Sequence, residues 1–217
     1  VIFDWAFAVS ILPDLGRALG VTVRATLAGM ALALALGLAW ALLRRAPARA
    51  VRLAVFWGVE FVRSTPLLVQ IYFLFFVLPG AGITLSPFAT GVLALGLHYS
   101  AYTAEVYRAG IEAVPRGQWE AAWALGLSPG HTWRAVVLPQ AIPPVVPALG
   151  NYLVAMFKDS PMLAGITVVE LLQTAKLIGA ETFRYLEPLT LVGLLFLAVS
   201  LVSARAIRHL ERRLAAR

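Results

Sequence analysis

Apolar positions fall along this chain in long blocks, not in the alternations or narrow stripes that a water-soluble fold shows. A bilayer crossing takes about 20 apolar residues. Residues 19–43, 55–78, 87–111, 141–172 and 189–206 are read as five such crossings. On the first, Ala25, Gly29, Ala33, Gly37 and Ala41 recur at every fourth position. Such a small-residue stripe lets a second helix come close where water does not drive helices together. The fourth block is too long for one simple crossing, follows Pro139 and carries Pro143, Pro144 and Pro147 near its start, and is interrupted by Lys158-Asp159-Ser160-Pro161. Proline removes a backbone donor and kinks a helix, so this block is expected to be bent or broken. A charged break in mid-membrane is costly unless it faces protein or a water-filled cavity, and broken helices near the midplane are where transported solutes bind. The alternative is two separate spans joined by a short outer loop, with Asp159 simply solvated.

Composition places the chain among membrane proteins. Of its 217 residues, 60% are hydrophobic and only 13% charged, with a mean hydropathy of +0.82, whereas a soluble domain is about 25% charged. The net charge of +7 is clustered: Arg44, Arg45, Arg49 and Arg52 lie between two apolar blocks, and Arg205, Arg208, Arg212, Arg213 and Arg217 crowd the end. Lys and Arg gather on the cytoplasmic side of polytopic proteins, which predicts an N-terminus outside, a C-terminus inside and an odd number of crossings. Residues 80–86 carry no Lys or Arg, as an outer loop should. No soluble stretch is long enough for a basic and aromatic nucleic-acid face, so the surface partner expected is lipid. With no cysteine, disulfides and Cys-ligated zinc are excluded. Three histidines without an HExxH pattern argue against a metal site. No GxSxG elbow and no GxxxxGK[ST] phosphate loop occurs. No catalytic residue is therefore expected, and any ATP would have to be bound by another chain.

Asp4 and Asp14 stand where a signal peptide would be basic. Phe3, Trp5, Phe7, Ile11 and Leu12 instead read as a segment lying on the bilayer surface. The expected division is an outer interfacial segment (residues 1–18), a membrane domain (19–210) and a basic cytoplasmic tail (211–217).

The polar interval between the third and fourth blocks, about residues 112–139, predicts two short helices joined at a glycine. Pro115 suits a first helical turn, Gly126 can adopt the left-handed conformation that ends a helix, and Ser128-Pro129 can start the next as N-cap and N1. Glu120, Ala121 and Ala122 form a small patch with one charge, shaped to enter a groove on another protein.

Glu120-Ala121-Ala122, three residues, Gly126, nine residues and then Val136-Val137-Leu138-Pro139 resembles the EAA loop of ABC importer permeases, with Val136 a conservative departure. Arg63-Ser64-Thr65-Pro66-Leu67-Leu68-Val69-Gln70 and Ala101-Tyr102-Thr103-Ala104-Glu105 are similar to segments of the polar amino acid permeases, and Lys158-Asp159-Ser160 continues the match. The resemblance implies an all-α polytopic protein of five transmembrane helices with the type I (MetI-like) permease fold. It implies a pore of two permease subunits, a cytoplasmic ATPase dimer that binds ATP and Mg, and an extracytoplasmic solute-binding protein. Glu120, Ala121, Ala122 and Gly126 would then couple the pore to the ATPase.

Ser64, Thr65, His98, Tyr152 and Asp159 are the positions expected along the solute pathway. Where many relatives carry Gly, Asn and an acid, this chain has Ser64, His98 and Tyr152. Loss of that acid points away from arginine-like or lysine-like solutes and toward zwitterionic or amidine-containing ones. The whole chain is most similar to permeases of the ectoine and hydroxyectoine importers. Asp159 either faces solute or pairs with Lys158. Glu60 with Arg63, and Glu105 with Arg108, are spaced for same-face pairing on a helix. Two other readings remain at this point: a transporter driven by an ion gradient, and a membrane anchor that only docks a partner.

Overall fold

The structure, a computed structural model, describes residues 2–215 and contains no strand among them. Arg217, counted above in the basic tail, lies outside the described residues.

Helix α1 (Trp5–Leu43) starts where the Asp4 carboxylate accepts the backbone N–H groups of Ala6 and Phe7 at 2.9 and 3.1 Å, a side-chain cap that satisfies two otherwise orphaned donors. Its 39 residues span about 58 Å at helical rise, nearly twice a hydrocarbon core of about 30 Å. Residues 5–18, expected as an outer interfacial segment, form the first turns of this helix. Ile11, Leu15 and Ala18 recur at helical spacing and are buried with Leu171, Ala175 and Val192, so they pack against protein.

Helix α2 (Arg49–Ser64) and helix α3 (Leu67–Tyr72), followed by a π turn (Phe73–Val77) and a 3-10 turn (Leu78–Ala81), meet at a bend of 103°. The block 55–78, expected as one crossing, is therefore a broken helix. Proline disfavours helical geometry in the residue before it, and Thr65 is extended at φ −107°, ψ 138°. The carbonyls this exposes find partners. The Thr65 hydroxyl donates to Phe61 O, and the Gln70 amide donates to Val62 O and Thr65 O.

Helix α4 (Pro87–Glu112) lies along α1. All five residues of the small stripe, Ala25, Gly29, Ala33, Gly37 and Ala41, are buried. A Cβ at Gly37 would sit 2.8 Å from the Ser100 carbonyl and 3.0 Å from the Ala104 nitrogen, so the two backbones are nearly in contact. Thr103 Oγ1 donates to the Ala33 carbonyl at 2.8 Å, and Trp40 Nε1 donates to Ser100 Oγ at 3.1 Å.

Helices α5 (Arg116–Ala124) and α6 (Pro129–Thr132) and a π turn (Trp133–Val137) lead into α7 (Leu138–Asp159). Helix α7 stays helical through Pro143, Pro144 and Pro147. The interruption comes after Asp159, where a 3-10 turn (Ser160–Ile166) and Thr167 at φ +65° precede α8 (Leu171–Thr182). The path bends there by 48°. Helix α9 (Leu186–Ala215) completes the bundle. By length and apolarity α1 and α9 can each cross a membrane, and the two bent pairs bring the number to four. Helix α4 carries Glu105, Arg108 and Glu112 toward its end.

Ion pairs tie the helix ends. Arg184 bridges Asp4 at 3.1 Å and Glu187 at 2.6 Å, joining the starts of α1 and α9. Its guanidinium also lies 4.5 Å from the Phe7 ring centroid. The Phe7 backbone N–H, and then Arg184, hold the Asp4 carboxyl below its ordinary value. A depressed acid contributes above its unfolded value and loses that contribution as pH falls through the folded one. This latch is thus complete at neutral pH and fades only in acid. At the other end Arg44 pairs with Glu105, which also binds Arg108 at 2.7 Å, and Arg108 reaches Glu112 at 2.5 Å.

Two glycine substitutions test the α1–α4 seam. Gly37→Ala should lower stability by about 1–3 kcal/mol, the usual cost of overpacking, despite alanine's better helix propensity. Gly58→Ala, where a Cβ meets nothing within 4 Å, should be neutral or slightly stabilising. Thermal unfolding in detergent distinguishes them.

Candidate docking hairpin and solute site

The segment between α4 and α7 folds on itself as its sequence expects. Gly126 takes φ +69°. The N–H of Leu127 reaches the carbonyl of Ala122 at 3.1 Å, and that of Gly126 reaches Trp123 at 2.9 Å. These two bonds form a Schellman cap, which needs a residue that tolerates the left-handed region. Ser128 then caps α6 through the His131 N–H, with Pro129 at its first position. Pro115 stands one residue before α5 instead of within its first turn. Trp119 and Trp133 meet edge to face at 5.4 Å and cover Val114, Val137 and Ala141, a small core belonging to the hairpin itself.

The expected coupling residues divide on this scaffold. Glu120 and Ala121 are exposed, Ala122 is 2% exposed, and Gly126 makes the turn. Trp123 at 65% and Leu125 at 78% exposure, on and just after α5, were not singled out from sequence. A charge beside two bare large apolar side chains is a surface built to be covered. The repeated Trp spacing was the available signal, but Trp119 packs inward and Trp123 outward.

The solute-pathway candidates converge around α4. Tyr99 donates to Asp159 Oδ2 at 2.7 Å, so the partner of Asp159 is a hydroxyl on α4. The expected alternative, an ion pair with Lys158, is not formed among the described residues; Lys158 is exposed. The His98 ring lies 5.2 Å from Tyr102, and Tyr152 lies 5.6 Å from Tyr102 and 6.1 Å from Tyr99. Gln70 joins this cluster to the α2–α3 break. Its amide nitrogen is used on the carbonyls of Val62 and Thr65 and on Thr65 Oγ1 at 2.6 Å. Its oxygen must therefore accept, and His98 Nδ1 donates to it at 3.2 Å. His98 Nε2 is left as an acceptor when the ring is neutral.

Of the five pathway candidates, His98, Tyr152 and Asp159 meet in this cluster and Thr65 joins through Gln70. Ser64 sits exposed at the end of α2. Tyr99, Tyr102 and Gln70 were missed; Tyr102 stands one helical turn after His98 and Tyr99 directly after it, which was legible. Arg63 pairs with Glu60 at 3.0 Å, but its guanidinium also lies 5.7 Å from the Tyr102 ring. The cluster presents hydroxyls, an imidazole, a carboxylate and π faces, which suit ammonium and carboxylate groups of a small zwitterion. A cavity of about 260 Å³ opens beside Thr65 and Gln70 but is otherwise walled by Phe61, Val69, Phe73 and Leu74. A larger groove of about 660 Å³ between α1 and α8 shares no residue with the cluster.

One more buried acid was not anticipated. Glu170, fully buried, caps α8 by accepting the N–H groups of Leu172 and Gln173 at 3.0 and 2.7 Å. Thr22 on α1 accepts the N–H of Leu171 at 3.1 Å. Glu170 is thereby occupied in holding the turn between α7 and α8.

The chain is 49% identical to a probable amino-acid ABC transporter permease protein of Sinorhizobium fredii, over 96% of this chain and 90% of that protein. It is 33% identical to the glutamine transport system permease protein GlnP of Escherichia coli, over 98% of both. A crystal structure of an amino acid ABC transporter with histidines superposes with a TM-score of 0.93 at 33% identity, covering 98% of this chain and all of that one. The MetNI methionine ABC transporter shares the fold, with a TM-score of 0.79 at 20% identity over 94% of this chain and 98% of that chain. The family model for the binding-protein-dependent transport system inner membrane component matches residues 25–216, and the chain belongs to that family.

Proposed function

We propose that this chain, with a second copy or a close paralogue, lines the pore of an ATP-driven importer for amino acids or amino-acid-like zwitterions. The observation that carries this reading is the α5–α6 hairpin, whose Glu120, Trp123 and Leu125 stand bare on a preformed turn. As a family member the chain is a membrane permease subunit and not an enzyme. On this reading ATP and Mg belong to a separate ATPase pair on which Glu120 and Ala121 dock. Ala122 and Gly126 act beneath them, shaping the hairpin.

The remaining assignments follow from that orientation. Taking α2 with α3 as one passage and α7 with α8 as another, α1, α4 and α9 bring the crossings to five. The hairpin, Arg44, Arg45 and the basic end of α9 would then be inside, and the start of α1 outside. Residues 19–210 would serve as the permease domain and 211–217 as its cytoplasmic tail. A solute-binding protein would deliver solute from outside to Thr65, His98, Tyr152 and Asp159, with Ser64 at the rim of the α2–α3 break. Relatives are named for amino acids, among them glutamine, arginine and cystine. With Tyr152 in place of an acid, a zwitterion such as glutamine, or ectoine or hydroxyectoine, fits better than a solute with net positive charge.

Uptake in vesicles rebuilt with the ATPase and binding protein separates the readings: it should require ATP. Uptake driven by an ion gradient alone would indicate a secondary transporter, and no uptake would leave a docking anchor. Glu120→Lys should weaken ATPase association on the order of tenfold or more by charge reversal at an interface, measured by co-purification, with membrane insertion unchanged. Asp159→Asn should lower solute-stimulated ATP hydrolysis several-fold while the ATPase stays bound. Misfolding of Asp159→Asn would instead make its bond with Tyr99 structural.

A further inference from the structure

The two arginines that end α1 send their side chains to different bodies. Arg44 turns to the bundle: it pairs with Glu105 on α4, and its guanidinium lies 5.2 Å from the Phe56 ring on α2. Arg45 turns to the hairpin, with its guanidinium 5.4 Å from the centroid of Trp133. Trp133 meets Trp119 edge to face, and Trp119 directly precedes Glu120. The link from α1 to α2 is itself braced, because Arg52 donates to the carbonyls of Ala46 and Pro47 at 2.9 and 2.8 Å.

Mechanically this matters because the hairpin's other ties to the bundle lie at its two chain ends, at α4 and at the start of α7, where Gln140 donates to Gln118 at 3.3 Å and Ala141 packs under the tryptophan pair. A body held at two points can rock about the line between them. A further attachment, from Trp133 on the helical run into α7 to the end of α1, limits that freedom. Tryptophan is the best ring for a cation–π contact and arginine the commonest cation over it, acting within about 6 Å of the ring.

We infer that Arg45 is a positioning residue: through Trp133 and Trp119 it fixes the docking hairpin to the end of α1, so that displacement of the hairpin moves the α1–α4 pair. This rests on the reading of the hairpin as the ATPase dock. Arg45 touches neither solute nor nucleotide; it makes the stroke efficient.

The test uses the complete transporter in nanodiscs with cysteine-free partner subunits. The permease has no cysteine, so Ser64→Cys, an exposed site at the α2–α3 break, serves as the only reporter. The rate of its modification by a water-soluble maleimide is measured with and without ATP, alongside ATP hydrolysis and ATPase retention. With Arg45 in place ATP should change that rate. Arg45→Ala should shrink the change about two- to fivefold, the factor expected for losing one exposed cation–π contact, while the ATPase stays bound and active. Arg45→Lys should largely restore it, and adding Arg45→Ala to Trp133→Leu, which already removes the ring, should cost nothing further. A full response in Arg45→Ala overturns the inference, as does release of the ATPase by Arg45→Ala, which would make Arg45 a docking residue. No response to ATP with Arg45 in place would overturn the transport reading and this inference with it.

Discussion

Within a bilayer the packing of α1 on α4 cannot be driven by expulsion of water, so it depends on how closely the two backbones meet. The residues at that seam are accordingly Ala25, Gly29, Ala33, Gly37 and Ala41 on one side and Ser100, Thr103 and Ala104 on the other. Thr103 and Trp40 add hydrogen bonds across it. Everything of functional interest hangs from this pair. The other face of α4 carries His98, Tyr99 and Tyr102, its end carries Glu105 and Arg108, and the hairpin follows directly.

A second constraint shapes the broken helices. A helix interrupted inside hydrocarbon must find partners for the backbone groups it frees. At Thr65-Pro66 those partners are Thr65 and Gln70, and because the Gln70 amide is used on carbonyls its oxygen is turned to His98. After Asp159 the chain passes through a 3-10 turn, and Glu170 with Thr22 restarts it as α8. The polar groups that repair the first break also lead into the cluster around Tyr102 and Asp159 through the Gln70–His98 contact. At Thr65-Pro66, repair of the backbone and construction of a polar site are one arrangement.

Much of this was legible in the sequence, and the reasons differ by element. The small stripe was read correctly because spacing of four on one helix has a single physical meaning at a close contact. The hairpin was legible because Gly126 and Ser128-Pro129 are local signals that need no tertiary context. The break of the fourth block was legible in Lys158-Asp159-Ser160-Pro161, where the 3-10 turn begins, whereas the prolines nearer its start leave α7 helical, since a lost hydrogen bond lowers helix stability without dictating where a packed helix ends. The span 55–78 reads as continuous by hydropathy, which does not register the restraint that Pro66 places on Thr65. Residues 5–18 were assigned to the bilayer surface because nothing local announces that Leu15 will meet Leu171. In the cluster, single residues were found by chemistry, whereas the Tyr99–Asp159 bond joins positions 60 apart and needed the fold.

The central claim is that the α5–α6 hairpin faces the cytoplasm and seats in a separate ATPase. Attachment of a membrane-impermeant maleimide to Trp123→Cys tests it most directly. The account predicts no reaction in intact cells, rapid reaction in inverted vesicles stripped of the ATPase, and protection once the ATPase is added back. Reaction from the outside of intact cells, or no protection by the ATPase, would contradict it.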